Sequence, residues 1–350
     1  MSKVIYKRNQ NFQPDFENIA KVFQRKIPSR PTLFEFALND GLVGKLSGVH
    51  NYNSSERLTQ FTRIITAFNN AGYDYATISG WRTDTLKFPK VESEKKESIS
   101  QNAGCMINDR ESFKKYEWPN ADDGDYDIYQ ELKDFLPDGM KLIASGNGGV
   151  LENVMDIVGF ENLCMMSLLD EELTSDIFNA VGSRFLRFYE IVAQIETIGA
   201  CIVNDDWGFK NQTMLSPEML RRWVFPWHKK IVETIHNAGK FAILHSCGQL
   251  EDVMDDVIYD MRYDAKHSFE DLITPVEEAY DLWGSKIAML GGIDLDFLAR
   301  SSPEDISKRA LKMLESSSEK GGYALGSGNS IPNYIPDENY LAMISAVNYK

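Results

Sequence analysis

The chain is short of cysteine, short of positive charge and without a long apolar run, and each shortage removes a class of protein. Only four cysteines occur in 350 residues (Cys105, Cys164, Cys201 and Cys247), and none is tightly spaced. This is not a disulfide framework, and a reducing, cytoplasmic setting is expected. In that setting the sequons at Asn53 and Asn211 carry no meaning. No stretch approaches the ~18 apolar residues of a membrane span, and the basic N-terminus lacks the apolar core of a signal peptide. Lys and Arg number 37 against 52 Asp and Glu, a net charge of -15 with no basic cluster. Nucleic acid is therefore not an expected partner. The glycine-rich segments Ser145–Gly149 and Gly326–Ser330 lack the registers that cradle phosphate.

What is present is an ordinary globular composition, 43% hydrophobic and 25% charged, which predicts a substantial core. Short apolar runs alternate with longer segments of helical spacing, the pattern of βα units. Eight runs qualify as strands: Thr32–Leu38, Tyr73–Ser79, Lys141–Ser145, Ala200–Asn204, Phe241–Ser246, Tyr263–His267, Ile287–Gly291 and Tyr323–Gly326. Eight is the count of a (β/α)8 TIM barrel, an α/β fold, with an open doubly wound sheet as the alternative. Ser216-Pro217, Ser302-Pro303 and Thr274-Pro275-Val276-Glu277 read as helix starts. Asn162–Leu169 reads as helix because the segment after it is plainly helical. The chain is expected to be one domain over residues 1–350. Residues 1–30 should be a helical extension that closes the barrel bottom or makes an oligomer contact, which would give a homodimer. Segments 91–104 and 119–127 are polar and read as surface loops, one of them a candidate lid.

In a barrel, chemistry lies at the C-terminal ends of the strands. His245-Ser246-Cys247 is the sharpest signal there. Alternate residues on a strand share a face, so imidazole and thiolate can meet one zinc ion. The same tripeptide also fits a buried neutral cysteine beside a backbone-bonded histidine. Asp205-Asp206 can supply a base or hold a cationic group, or simply open a turn. Arg82, beside Trp81, can bind a carboxylate or pair with a neighbouring acid. Glu270 can face the metal from three residues beyond His267, or cap the next helix. His50, His228 and His236 are expected at the surface, and Cys105, Cys164 and Cys201 in core or loops.

Five motifs then fall in order: Asn204–Gly208 (NDDWG), Leu215–Glu218 (LSPE) with Phe225-Pro226, His245–Gly248 (HSCG), Gly291–Asp294 (GGID), and Gly328–Pro332 (GNSIP) followed by Pro336–Tyr340. Together they resemble the uroporphyrinogen decarboxylase superfamily, and within it the corrinoid-dependent methyltransferases. The resemblance is carried by residues 200–350 and implies the barrel. Decarboxylases of this family carry an arginine-rich motif at the first strand, whereas Arg30–Phe36 (RPTLFEF) lacks that set. A substrate with many carboxylates would be poorly neutralised here.

The methyltransferase likeness implies zinc held by His245, Cys247 and a third position, which falls at Asn329 where those enzymes have cysteine. A neutral amide is a poor zinc ligand. Either Glu270 completes the set, or the metal is weakly held, or none binds. The expected activity is methyl transfer between a corrinoid protein and a small-molecule donor or acceptor. Asp206, His267 and Asn329 are the expected catalytic groups. Asn204, Asp205, Trp207, Ser79, Arg82 and Asn147 are the expected substrate contacts. A metal-free decarboxylase of a smaller acid and a non-catalytic tetrapyrrole-binding barrel are the alternatives.

Overall fold

The computed structural model describes residues 12–50, 56–90 and 105–349. Seven strands pair in parallel and in sequence order: β1 (Tyr75–Ile78), β2 (Lys141–Ser145), β3 (Ile198–Asn204), β4 (Phe241–His245), β5 (Ala265–His267), β6 (Ala288–Leu290) and β7 (Tyr323–Ala324). Sequential order without a reversal leaves no switch point, which sets aside the open doubly wound alternative. β3 is buried along nearly its whole length. Its run of small and apolar residues is what a strand covered on both faces requires.

The eighth expected strand, Thr32–Leu38, is not a regular ladder. It meets the other side of the sheet through single parallel bridges, Leu33 to Leu325 and Leu38 to Ile331. Toward β1 the contacts come from side chains: Tyr75 Oη accepts from Glu35 N at 2.7 Å, and Thr77 Oγ1 donates to Glu35 O at 3.2 Å. The segment closes the curled sheet into a (β/α)8 barrel, but hydroxyls occupy backbone groups that a partner strand would otherwise use.

Within the N-terminal extension, the helix Phe16–Phe23 is capped by Asp15 and buries Phe16, Ile19 and Phe23. Phe23 meets Phe241, the first residue of β4, at 5.3 Å between ring centroids. This helix therefore sits at the end opposite the strand C-termini. Phe160–Leu169 is helical as expected. The 119–127 segment is a mostly exposed loop with one 3-10 turn, tied down where Asp122 pairs with Arg187 at 2.7 Å. The other expected loop, 91–104, lies outside the described residues. Among the described residues no helix is long and apolar enough to cross a membrane.

Candidate active site

The C-terminal ends of β3 and β4 bring three groups together. One donor atom each from Asp206, His245 and Cys247 lies within 4.8 Å of the others. His245 Nε2 is 3.8 Å from Cys247 Sγ, and the Cys247 N–H donates to Asp206 Oδ1 at 2.8 Å. The loops after β3 and β4 must nearly touch for this, and glycine permits it. Gly248 has φ +84°, and a Cβ there would fall 2.2 Å from the Gly208 carbonyl oxygen.

The inner face of His245 is held by a second imidazole. His267 Nδ1 is 2.8 Å from His245 Nδ1, and His267 Nε2 is 3.1 Å from the Ser327 carbonyl oxygen. A carbonyl can only accept, so His267 carries its proton on Nε2 and accepts at Nδ1 from His245. The Nε2 lone pair of His245 is thereby directed toward Cys247. Burial pushes His267 down to about 3, against the raising effect of the Ser327 bond. Burial, then His267 and Lys266, hold His245 well below the usual histidine range. Both rings are neutral at pH 7, the form that binds metal. His267 is a positioning residue here, set behind His245.

Burial, then Asp206, push the Cys247 thiol well above its ordinary value. Burial likewise raises Asp206. Ionised in such a place, the two would need a cation, and carboxylate, imidazole and thiolate are a donor set that zinc takes. Bonds of about 2.3 Å to sulfur and about 2.0 Å to nitrogen, at a tetrahedral angle, put those atoms roughly 3.5 Å apart, close to the spacing found. The residues fit the ion.

Asn329, at the position the resemblance assigns to a ligand, donates from Nδ2 to Cys247 Sγ at 3.3 Å. Its amide reaches the sulfur as a hydrogen-bond donor, and the third converging group is Asp206. Glu270 is not part of the convergence: it is exposed and lines a separate pocket with Lys266 and Ser268. Burial pushes Lys266 down to about 8, and its ammonium donates to Ser268 O at 2.6 Å.

Beside the triad lies a cavity of about 470 Å³ whose lining includes Trp81, Asn147, Glu152, Asn204 and Asp206. Asn147 and Asn204 thus reach this cavity, and Asn204 Nδ2 donates to Glu152 Oε2 at 2.5 Å. Four expected substrate contacts are placed elsewhere. Asp205 is fully buried and accepts from Leu151 N and Glu152 N, both at 3.0 Å, while His228 Nε2 lies 2.9 Å from its Oδ2. It caps the helix Val150–Val158, whose approach depends on Gly149, where a Cβ would meet the Asn204 carbonyl oxygen at 2.1 Å. Trp207 is fully buried against Phe225 and His228. Adjacent residues point opposite ways, so Asn204 and Asp206 turn to the cavity while Asp205 and Trp207 turn away from it. Arg82 pairs with Asp40 at 3.1 Å, and Ser79 is buried, its carbonyl accepting from Arg82 N.

His228 is the clearest correction among the histidines, buried rather than at the surface. Ile231, Val232 and Ile235 follow it at helical spacing, and that stripe is a readable sign of burial. Glu35 and Glu152 were not among the expected site residues. Glu35 is an acid inside an apolar run, a visible anomaly, whereas nothing local singles out Glu152 in its helix.

The family model for uroporphyrinogen decarboxylase (URO-D) matches residues 104–349, reaching well upstream of the motif run. No curated protein matches the chain. Among solved structures, a methyltransferase from Methanosarcina mazei superposes with TM-score 0.71 at 12% identity, covering 95% of this chain and 97% of the other. The β-glycosidase of Thermosphaera aggregans gives TM-score 0.47 at 11% identity, over 91% and 96%. The first likeness supports the barrel. With the family model covering most of its length, the chain belongs to the uroporphyrinogen decarboxylase (URO-D) family.

Proposed function

We infer that this family member is a zinc-dependent methyltransferase that moves a methyl group between the cobalt of a separate corrinoid protein and a small molecule. The observation that carries the reading is the convergence of Asp206, His245 and Cys247 within 4.8 Å, open to a substrate-sized cavity. The fold shared with a methyltransferase from Methanosarcina mazei is consistent with it. Uroporphyrinogen decarboxylation is disfavoured, because Arg82 is engaged by Asp40 and no arginine cluster lines the cavity among the described residues.

Asp206, His245 and Cys247 would hold the ion. Zinc bound there would act as a Lewis acid, lowering the pKa of a thiol or hydroxyl partner so that it is nucleophilic at neutral pH. The protein's own groups prepare that site. The His267–Ser327 chain keeps the His245 proton on Nδ1, the Cys247 N–H orients Asp206, and the Asn329 amide donates to the sulfur.

The test is metal analysis of the purified protein together with demethylation of methylcobalamin. Stoichiometric zinc is expected, with His245→Ala and Cys247→Ala losing both zinc and about 100-fold or more of the transfer rate. A zinc-free wild type whose transfer rate is unchanged by His245→Ala would overturn the reading. Carbon dioxide release independent of cobalt would point to the decarboxylase instead.

A further inference from the structure

The charge of the cavity wall restricts what can occupy it. Its acidic lining residues are Glu152, Asp156 and Asp206, and its one basic lining residue among those described is Lys90. Lys90 is already engaged, with Nζ 2.7 Å from Asp156 Oδ2. That leaves Glu152 and Asp206 without a cationic partner on the wall. A divalent ion at the triad would be matched by the Asp206 and Cys247 anions, so Glu152 remains uncompensated with the ion present or absent.

The rest of the wall is apolar and polarisable: Trp81, Phe88, Met155 and Met214. Aromatic faces attract cations, most strongly when the cation is an alkylated ammonium that sheds water easily. Thioether sulfur adapts its shape to methyl groups. A volume of about 470 Å³ lies in the range that holds small organic ligands. An anionic ligand such as a sulfonate would face two acidic side chains with no unengaged basic residue on the described wall.

We propose that the small-molecule partner of this site is an alkylated ammonium ion, its charge facing the Glu152 carboxylate and its alkyl groups packed on Trp81, Phe88, Met155 and Met214. The assignment of this ligand as a methyl-transfer partner rests on the methyltransferase reading, but its binding does not. Asn204, bonded to Oε2, fixes the carboxyl on the cavity wall. Glu152 is thus the residue that selects by charge.

The experiment compares two ligands of one shape by titration calorimetry on the full chain: choline, and its neutral carbon isostere 3,3-dimethyl-1-butanol. Methanesulfonate serves as the anionic probe. Wild type is expected to bind choline at least about tenfold tighter than the isostere and not to bind methanesulfonate. Glu152→Gln should abolish that preference while thermal stability and zinc content stay at wild-type levels. Equal affinity for the isosteres, binding of neither, or a preference that survives in Glu152→Gln would overturn the proposal. Because the wild-type comparison stands without any variant, misfolding of Glu152→Gln does not rescue it. Choline binding without methylcobalamin demethylation would sink the methyltransferase reading alone, and demethylation without choline preference would sink this one alone.

Discussion

His267 faces His245 nitrogen to nitrogen, Nδ1 to Nδ1 at 2.8 Å, with the far side of His267 closed by the Ser327 carbonyl oxygen at 3.1 Å. One proton is shared along that contact, and its source is fixed because the carbonyl cannot donate. The consequence is a single tautomer of His245, with its lone pair directed outward. Phe36 stacks against the same ring at 4.4 Å between centroids and restricts its rotation. A ligand held this firmly loses little freedom when it binds an ion.

Removing His267 should therefore weaken metal binding without removing a ligand. His267→Ala is expected to lower zinc affinity by about 10–100-fold, the range found when the partner of a metal-bound histidine is lost. Competition against a chelator of known affinity measures it. Unchanged affinity would show that His245 is oriented by its packing alone.

At position 329 the amide donates to Cys247 Sγ from 3.3 Å, close enough for a thiolate at that position to approach the same ion. Asn329→Cys should tighten zinc binding on the order of tenfold or more, since thiolate is a far better zinc ligand than a carboxamide. Cys247→Ala should abolish stoichiometric binding. If Asn329→Cys leaves the affinity as it was, Asp206 already completes the set, and the extra sulfur has no place to bind.

The barrel was legible because its strands are apolar runs of the right length, β3 and β4 most clearly, and because helix starts punctuate them. The closeness of His245 and Cys247 was legible because two residues on one strand face need only the strand's own period. The third donor was not. Asp205 and Asp206 are chemically identical in sequence, and only the crossing of the loops at Gly208 and Gly248 decides which one turns to Cys247. Thr32–Leu38 has a strand's composition, yet Tyr75 and Thr77 satisfy part of its backbone by side-chain bonds that no periodicity anticipates. Glu152 gains its meaning from Asn204 and Asp206, which lie on another βα unit.

Glu35 makes stability depend on pH in a calculable direction. Its fully buried carboxyl is pushed up to about 8 by desolvation, against an unfolded value of 4.5, and the two bonds from Ser327 N and Oγ offset only part of that. Between those values the folded state keeps a proton that the unfolded chain has released. Stability contributed by this group is therefore intact below 4.5, falls as pH rises, and levels off above about 8. At about 1.4 kcal/mol per unit, the fall amounts to a few kcal/mol. Urea unfolding at pH 5, 7 and 9 should show Glu35→Gln flattening the profile, with its greatest advantage over wild type at pH 9. Parallel profiles would mean that Glu35 does not titrate in this range.

His228 separates a surface reading from a buried one by magnitude. It lies between Asp205 Oδ2 at 2.9 Å and Tyr263 Oη at 2.7 Å, with no exposure, and so ties the cap of the helix Val150–Val158 to the strand layer. A surface histidine could be removed within about 0.5 kcal/mol. Truncating this one leaves the Asp205 carboxylate without one of its partners and opens a cavity beneath Trp207. His228→Ala should therefore cost about 3 kcal/mol, read as a lower urea midpoint at unchanged slope. Tyr263→Phe removes a single hydroxyl bond and should cost about 1 kcal/mol. The double variant should lose less than the sum, because once His228 is gone the Tyr263 hydroxyl has no imidazole left to bond. Strict additivity would show that the two residues act separately, and that the cap on Asp205 is held by Leu151 and Glu152 alone.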